Sequence, residues 1–200
     1  MKTVFMIILA YIFGSIPWAL VIGKVFYHID IREHGSGNLG GSNAGRVLGK
    51  KVGVLVITLD ALKAFISVLI CQYVAPEATI LAGLACCFGH CFPIFANFKG
   101  GKAVATAYGY LLAISIFVTH SFVIQCLVPF LCFLGILYLG KMVSLASIIS
   151  LLIAAIIAAV TQPNIQVTIS LFVLWAFVTY RHKGNIQRIL DGTEKKITWM

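Results

Sequence analysis

The chain has 200 residues, 60% of them hydrophobic and only 10% charged. A soluble domain carries about 25% charged residues, and a core of this length cannot hide so large an apolar excess, because much of any domain's surface must face water. A single soluble domain is excluded, and the formal charge of +9 does not point to nucleic acid, since the basic residues form no soluble face with interleaved aromatics.

Apolar runs lie at 3–23, 53–75, 78–97, 103–119, 121–139, 143–161 and 165–180. At roughly 20 apolar residues per crossing, they predict an all-α integral membrane protein of about seven transmembrane helices, in one polytopic domain over 1–200. Residues 4–13 have the apolar core of a signal peptide, but with further spans behind them they read as a retained first helix. The 103–119 run is short and interrupted by Gly109, so it reads as a weak span or a partly re-entrant helix.

The separators alternate in kind. Those at 24–52, 98–102, 140–142 and 181–200 are basic, whereas Pro76-Glu77, His120-Ser121 and Thr161–Asn164 are short and nearly uncharged. Of the fifteen Lys and Arg, only Lys2 and Lys63 lie outside the first set. Cytoplasmic loops of membrane proteins carry the excess of Lys and Arg. The N-terminus is therefore expected outside, with the basic loops and C-terminal tail in the cytoplasm. No internal repeat is evident, which weighs against an inverted-repeat transporter.

In the second run Asp60 and Lys63 are the only charges. Each alone would cost at least about 2.5 kcal/mol near mid-membrane, but at i, i+3 they can neutralise one another. A structural ion pair is the first reading and support of a site the second. All six cysteines lie in apolar stretches and read as small hydrophobes. Cys86, Cys87, His90 and Cys91 have spacings that invite a metal, but no second cluster completes a site and none is expected.

The loop after the first run contains His34-Gly35-Ser36-Gly37-Asn38-Leu39-Gly40-Gly41-Ser42-Asn43-Ala44-Gly45-Arg46. Residues 35–40 match GxGxxG, but that motif needs a preceding strand and a βαβ unit, which do not fit here. Glycines that reach positive φ can present backbone N–H groups to an anion. Ser36, Asn38, Ser42 and Asn43 add neutral donors, and Arg46 adds a fork suited to phosphate. The bland alternative is a flexible polar loop.

The next basic loop reads Lys99-Gly100-Gly101-Lys102, followed by a helix that carries Thr106. It is not a Walker A sequence, yet its parts are related. Two glycines would expose backbone donors, two lysines bring charge, and the helix N-terminus brings free N–H groups and a partial positive charge. A pair of lysines anchoring a short turn is the competing account. In the tail, His182 and Asn185 fall on one face if 181–190 is helical, while Arg181, Lys183 and Arg188 alone would be an ordinary flank.

Together these segments resemble the bacterial acyl-phosphate:glycerol-3-phosphate acyltransferases. The resemblance runs from Gly14-Ser15-Ile16-Pro17 through the Gly-Ser-Gly-Asn loop with its Asn43-x-x-Arg46 ending. It continues through His90-x-Phe92-Pro93-x-Phe95 and Lys99–Lys102 to His182-x-x-Asn185-Ile186-x-Arg188 and Gly192-x-Glu194. It implies seven spans in a bacterial cytoplasmic membrane and site loops at 24–52, 98–102, 140–147 and 181–196. It also implies acyl transfer from acyl phosphate to glycerol 3-phosphate without a cofactor or metal. Membrane lipids and the enzyme that forms the acyl phosphate are the implied partners, and nucleic acid is not.

By the same resemblance Ser36, Arg46, Lys102, His182, Asn185 and Glu194 match catalytic positions. Gly37, Asn38, Ser42, Asn43, Lys99, Gly100, Gly101, Thr106, Ser144 and Ser147 match substrate-binding ones. Two departures stand out. Gly41-Ser42 replaces the usual Ala-Thr, and Ala103 replaces a common glycine, but neither removes a needed donor. A transporter or channel for a phosphorylated metabolite is the alternative function. It would need polar residues at mid-membrane on several helices, and this chain offers chiefly Asp60 and Lys63.

Overall fold

Gly14-Ser15-Ile16-Pro17 breaks the first apolar run. Proline cannot donate to a helix ladder and disfavours helical geometry in the residue before it. In the computed structural model, which describes residues 1–197, α1 (Lys2–Gly14) and α2 (Trp18–Tyr27) are accordingly separate helices bent by 42°. The last three residues of the expected 1–200 domain lie outside the described residues. All regular structure among those described is helical.

A short helix, α3 (Gly41–Val47), precedes the long α4 (Lys50–Val74). Then come α5 (Thr79–Cys91), α6 (Val104–Phe117), α7 (Val128–Gly140), α8 (Val143–Thr161), α9 (Ile165–Arg181) and α10 (Lys183–Leu190). Among the described residues, four helical segments are long and apolar enough to cross a membrane: α4, Pro76–Ala96 around α5, Val123–Gly140 around α7, and α8. The count becomes five if the bent α1–α2 pair is one span. By length and composition, four or five of the seven expected spans are thus identified, with α6 and α9 as shorter apolar helices. Helix α6 has 14 residues, about 21 Å at 1.5 Å per residue, short of the roughly 30 Å hydrocarbon layer. Gly109 does not interrupt it. A Cβ there would run into the backbone of Ala61, so glycine lets α6 lie directly on α4.

Exposure is inverted relative to a soluble protein. On α4, Leu55, Leu62 and Ile70 are 48%, 43% and 46% exposed, while Asp60 and Lys63 are each 1% exposed. A helix apolar on its outer face and polar within has lipid as its partner.

The chain divides into two compact units, Met1–Ala113 and the part from Ile114 onward. In the first, α1 packs along α5, α4 lies against α5, and α3 lies on α4. Gly14 permits the α1–α5 contact, since a Cβ there would meet the backbone of Cys86. One apolar cluster, including Leu20, Ile31, Leu39, Leu48 and Val56, seats the loop between α2 and α4. In the second unit, α8 packs against both α7 and α9, and α10 touches α8 and α9. Small buried residues on α8 (Ala146, Ser147, Ser150, Ala154, Ala158) allow close helix approach without any loss of backbone bonding.

Candidate functional site

The loop after α2 is built around two carboxylate and amide anchors. Asp30 caps the backbone N–H of Arg32 at 3.1 Å, takes its guanidinium at 2.9 and 2.6 Å, and faces Lys24 at 3.3 Å. The Arg32 guanidinium holds the Asp30 carboxyl well below the usual carboxylate range. Asn43 on α3 does the rest. Its Oδ1 accepts the Ser36 N–H at 2.8 Å, and its Nδ2 donates to the carbonyls of His34 and Ile31 at 3.1 and 3.3 Å. Gly35 and Gly37 have φ of 64° and 67°, the left-handed region that favours glycine. Asn38 Oδ1 accepts from the Gly40 N–H at 3.0 Å, and buried Leu39 pins the loop into the apolar cluster.

The outcome differs from a nest of open donors. The Ser36 N–H and the Asn43 amide are committed within the loop. What the loop presents outward is the side chains of Ser36, Ser42 and Arg46, all exposed. The Arg46 guanidinium, in the last turn of α3, has no side-chain partner among the described residues.

The Lys99–Lys102 loop is likewise folded back on its own support. The Gly100 N–H donates to the Cys91 carbonyl and the Gly101 N–H to the His90 carbonyl, each at 3.1 Å. These two donors, expected to face an anion, are internal to the turn. The glycines are needed for another reason: a Cβ on Gly100 would strike the His90 carbonyl, and one on Gly101 the His90 ring. Lys99 is exposed and Lys102 half-buried at the start of α6, whose first-turn N–H groups have no intrahelical acceptor. One turn on, the Thr106 hydroxyl is fully buried and without a hydrogen-bond partner.

Asp60 and Lys63 form the expected ion pair at 2.9 Å, and a third group joins them. The His90 Nδ1 lies 3.0 Å from the Lys63 Nζ and 3.3 Å from the Asp60 carboxylate. The His90 ring is engaged here, and no three His, Cys, Asp or Glu among the described residues converge to hold a metal.

In the second unit the residues gather on Glu194. Its Oε1 accepts the Ser144 hydroxyl at 2.7 Å and the Asn185 amide at 2.6 Å, and its Oε2 accepts Arg188 Nε at 2.8 Å. Burial pushes this carboxyl up, but the three donors outweigh it and hold the group below the ordinary glutamate value. Gly192, at φ 70°, reverses the chain after α10, and the Ile197 N–H closes onto the Lys141 carbonyl at 2.7 Å. The Ser147 hydroxyl donates to Val143 one turn back, at 2.7 Å. Ser144 and Ser147 thus keep only their oxygen lone pairs for other contacts.

His182 sits at the junction of α9 and α10, 3% exposed, with Nδ1 2.8 Å from the Val178 carbonyl. A carbonyl only accepts, so Nδ1 carries a proton and donates it to this bond.

The family model for glycerol-3-phosphate acyltransferase matches residues 4–192, nearly the whole chain. The chain belongs to the glycerol-3-phosphate acyltransferase family. It is 43% identical over 198 residues to the glycerol-3-phosphate acyltransferase of Geobacillus kaustophilus, covering 98% of this chain and 97% of the relative. With that of Bacillus velezensis the identity is 47% over 198 residues, covering 97% of each. Among solved structures, the glycerol 3-phosphate form of PlsY (YgiH), an integral membrane glycerol 3-phosphate acyltransferase, superimposes with a TM-score of 0.91 at 40% identity. That match covers 99% of this chain and 96% of the other. Its lysophosphatidic acid form gives 0.89 at 39% identity over the same shares.

In this member of the glycerol-3-phosphate acyltransferase family, two residues have contacts that sequence reasoning did not assign. In sequence His90 stands beside its cysteines and in the His90-x-Phe92-Pro93 motif; its pairing with Asp60 and Lys63 spans 27 residues or more and leaves no local signal. In sequence Arg188 stands as a basic flank and as the end of the His182-x-x-Asn185-Ile186-x-Arg188 motif; its spacing of six from Glu194 becomes a contact only because Gly192 turns the tail back.

Proposed function

We propose that the protein transfers a fatty acyl group from acyl phosphate to glycerol 3-phosphate, giving 1-acylglycerol 3-phosphate (lysophosphatidate) and inorganic phosphate. The observation that carries this reading is the full-length match to the glycerol 3-phosphate form of PlsY. On this reading it catalyses the first committed step towards phosphatidic acid in a bacterial inner membrane, with the basic loops in the cytoplasm. The four long segments, the bent α1–α2 pair, α6 and α9 make up seven crossings of one domain, with the N-terminus outside.

An acyl phosphate is already activated, so no acyl-enzyme is required, and five of the six cysteines are buried. The task is to hold two phosphates and align a hydroxyl, which calls for fixed cationic donors. Arg46, Lys99 and Lys102 supply the charge, and Ser36, Asn38, Ser42 and Thr106 supply neutral contacts. Asn43, Gly37, Gly100 and Gly101 shape the loops that carry them. The acceptor oxygen bonds to the acyl carbon, the bond from that carbon to the bridging oxygen of the mixed anhydride breaks, and phosphate departs with the bridging oxygen. The proton ends on that phosphate, either directly or by way of His182 Nε2. Ser144, Asn185 and Glu194 fix the tail next to His182, and Ser147 offers a lone pair.

Purified protein given palmitoyl phosphate and labelled glycerol 3-phosphate tests the reading. Labelled lysophosphatidate is expected. Product from palmitoyl-CoA but none from palmitoyl phosphate would overturn the donor assignment.

A further inference from the structure

Lys63 and Asp60 are the only buried Lys, Arg, Asp or Glu among the described residues. As a stability device the pair is poorly chosen, because desolvating two charges usually offsets their attraction and an apolar pair serves as well. What distinguishes it is where its bonds go. The Lys63 ammonium has three protons and three close neighbours: Asp60 on its own helix, the Ile16 carbonyl at 3.1 Å in the α1–α2 break, and His90 Nδ1 at the end of α5. Asp60 Oδ1 receives no aligned hydrogen bond and is held by charge at 2.9 Å. His90 Nδ1 thus lies against both members of the pair, 3.0 Å from Lys63 Nζ and 3.3 Å from the Asp60 carboxylate.

His90 in turn carries the Lys99–Lys102 loop. Its carbonyl takes the Gly101 N–H, the next carbonyl takes that of Gly100, and Gly101 lies so close to the imidazole that a methyl group would collide with it. The ring thus packs directly against the turn.

We propose that Asp60, Lys63 and His90 form a positioning triad. It holds the Gly100–Gly101 turn, and through it Lys99 and Lys102, in the geometry that grips substrate phosphate. The proposal rests on the phosphate-holding role assigned to that loop above. The three residues touch no reacting atom and act through the turn.

Steady-state kinetics and hydrogen exchange on purified variants test it. His90→Ala is expected to raise KM for glycerol 3-phosphate about tenfold or more, in keeping with the sensitivity of rates to ångström misplacement, and to speed exchange across 98–103. His90→Asn places an oxygen near the former Nδ1 and should restore most of the affinity. Gly101→Ala should reproduce the KM rise alone yet add little in the His90→Ala background, where the methyl has room. An unchanged KM with a lowered Tm would reduce the triad to a structural element and overturn the proposal. Unaltered exchange at 98–103, or strictly additive effects of the two alanines, would do the same. If the wild-type protein makes no product from palmitoyl phosphate, the functional reading fails instead, and the exchange data still decide whether the triad holds the turn.

Discussion

Asn43→Ala isolates the part played by a single buried amide. The side chain makes three hydrogen bonds, at 2.8, 3.1 and 3.3 Å, that tie Ser36, His34 and Ile31 to α3. At about 1 kcal/mol net for each, their loss weakens the closed loop by up to about 3 kcal/mol. Water reaches the half-buried ends of two of them, so about 2 kcal/mol is the working figure, close to a thirtyfold shift in the opening equilibrium. Exchange across 31–40 should accelerate by about that factor, while α4 and α5 keep their protection. Apparent KM for glycerol 3-phosphate should rise with it, since Ser36 and Arg46 ride on this loop. Asn43→Asp keeps an acceptor for Ser36 but sets a carboxylate against two carbonyls, so it should fare no better than alanine. Exchange and KM both within twofold of wild type would refute the clasp.

Arg46→Ala and Lys102→Ala are expected mainly to raise the acceptor KM, with Ser144→Ala milder because Glu194 keeps its bonds to Asn185 and Arg188; unaltered KM in both basic variants would reject the phosphate-holding role. His182→Gln separates the two routes for the proton: a large fall in kcat with little change in KM would assign the transfer to histidine, whereas a small fall is expected if phosphate takes it directly. The Glu194 carboxyl is held below its ordinary value, so its clamp contributes fully above the unfolded value of about 4.3. That contribution is lost as pH falls through the lower folded value. Limited proteolysis at 191–197 should therefore increase under acid. In Glu194→Gln, which loses the charge-assisted bond to Arg188, it should already be fast at pH 7.

Much of the fold was legible because lipid imposes simple rules. Apolar runs and basic loops mark helices and their flanks without any knowledge of contacts, and the Gly14–Pro17 break is visible as Pro17 itself. Length and composition single out four or five of the seven expected spans, because a run of apolar residues does not report helix length: α6 starts only after Ala103, whose φ is 57°, and stops at Phe117. The site was legible as a set of residue types and not as a wiring. Gly100 and Gly101 look like open donors in sequence, and only the folded chain shows their N–H groups turned back on α5. Gly109 looks like a flaw in α6 until Ala61 is placed beside it. Asp60 and Lys63 are paired by their i, i+3 spacing, but His90 shares no periodicity with them, so its joining the pair is purely tertiary.

An isotope experiment reaches the chemistry most directly. Palmitoyl phosphate carrying ¹⁸O in the bridging position would be turned over with glycerol 3-phosphate, and both products examined by mass. Attack at the acyl carbon predicts one lysophosphatidate per phosphate released, with all the heavy oxygen in the phosphate. Heavy oxygen retained in the acyl product, or phosphate released with no lysophosphatidate formed, would contradict direct acyl transfer to the glycerol hydroxyl.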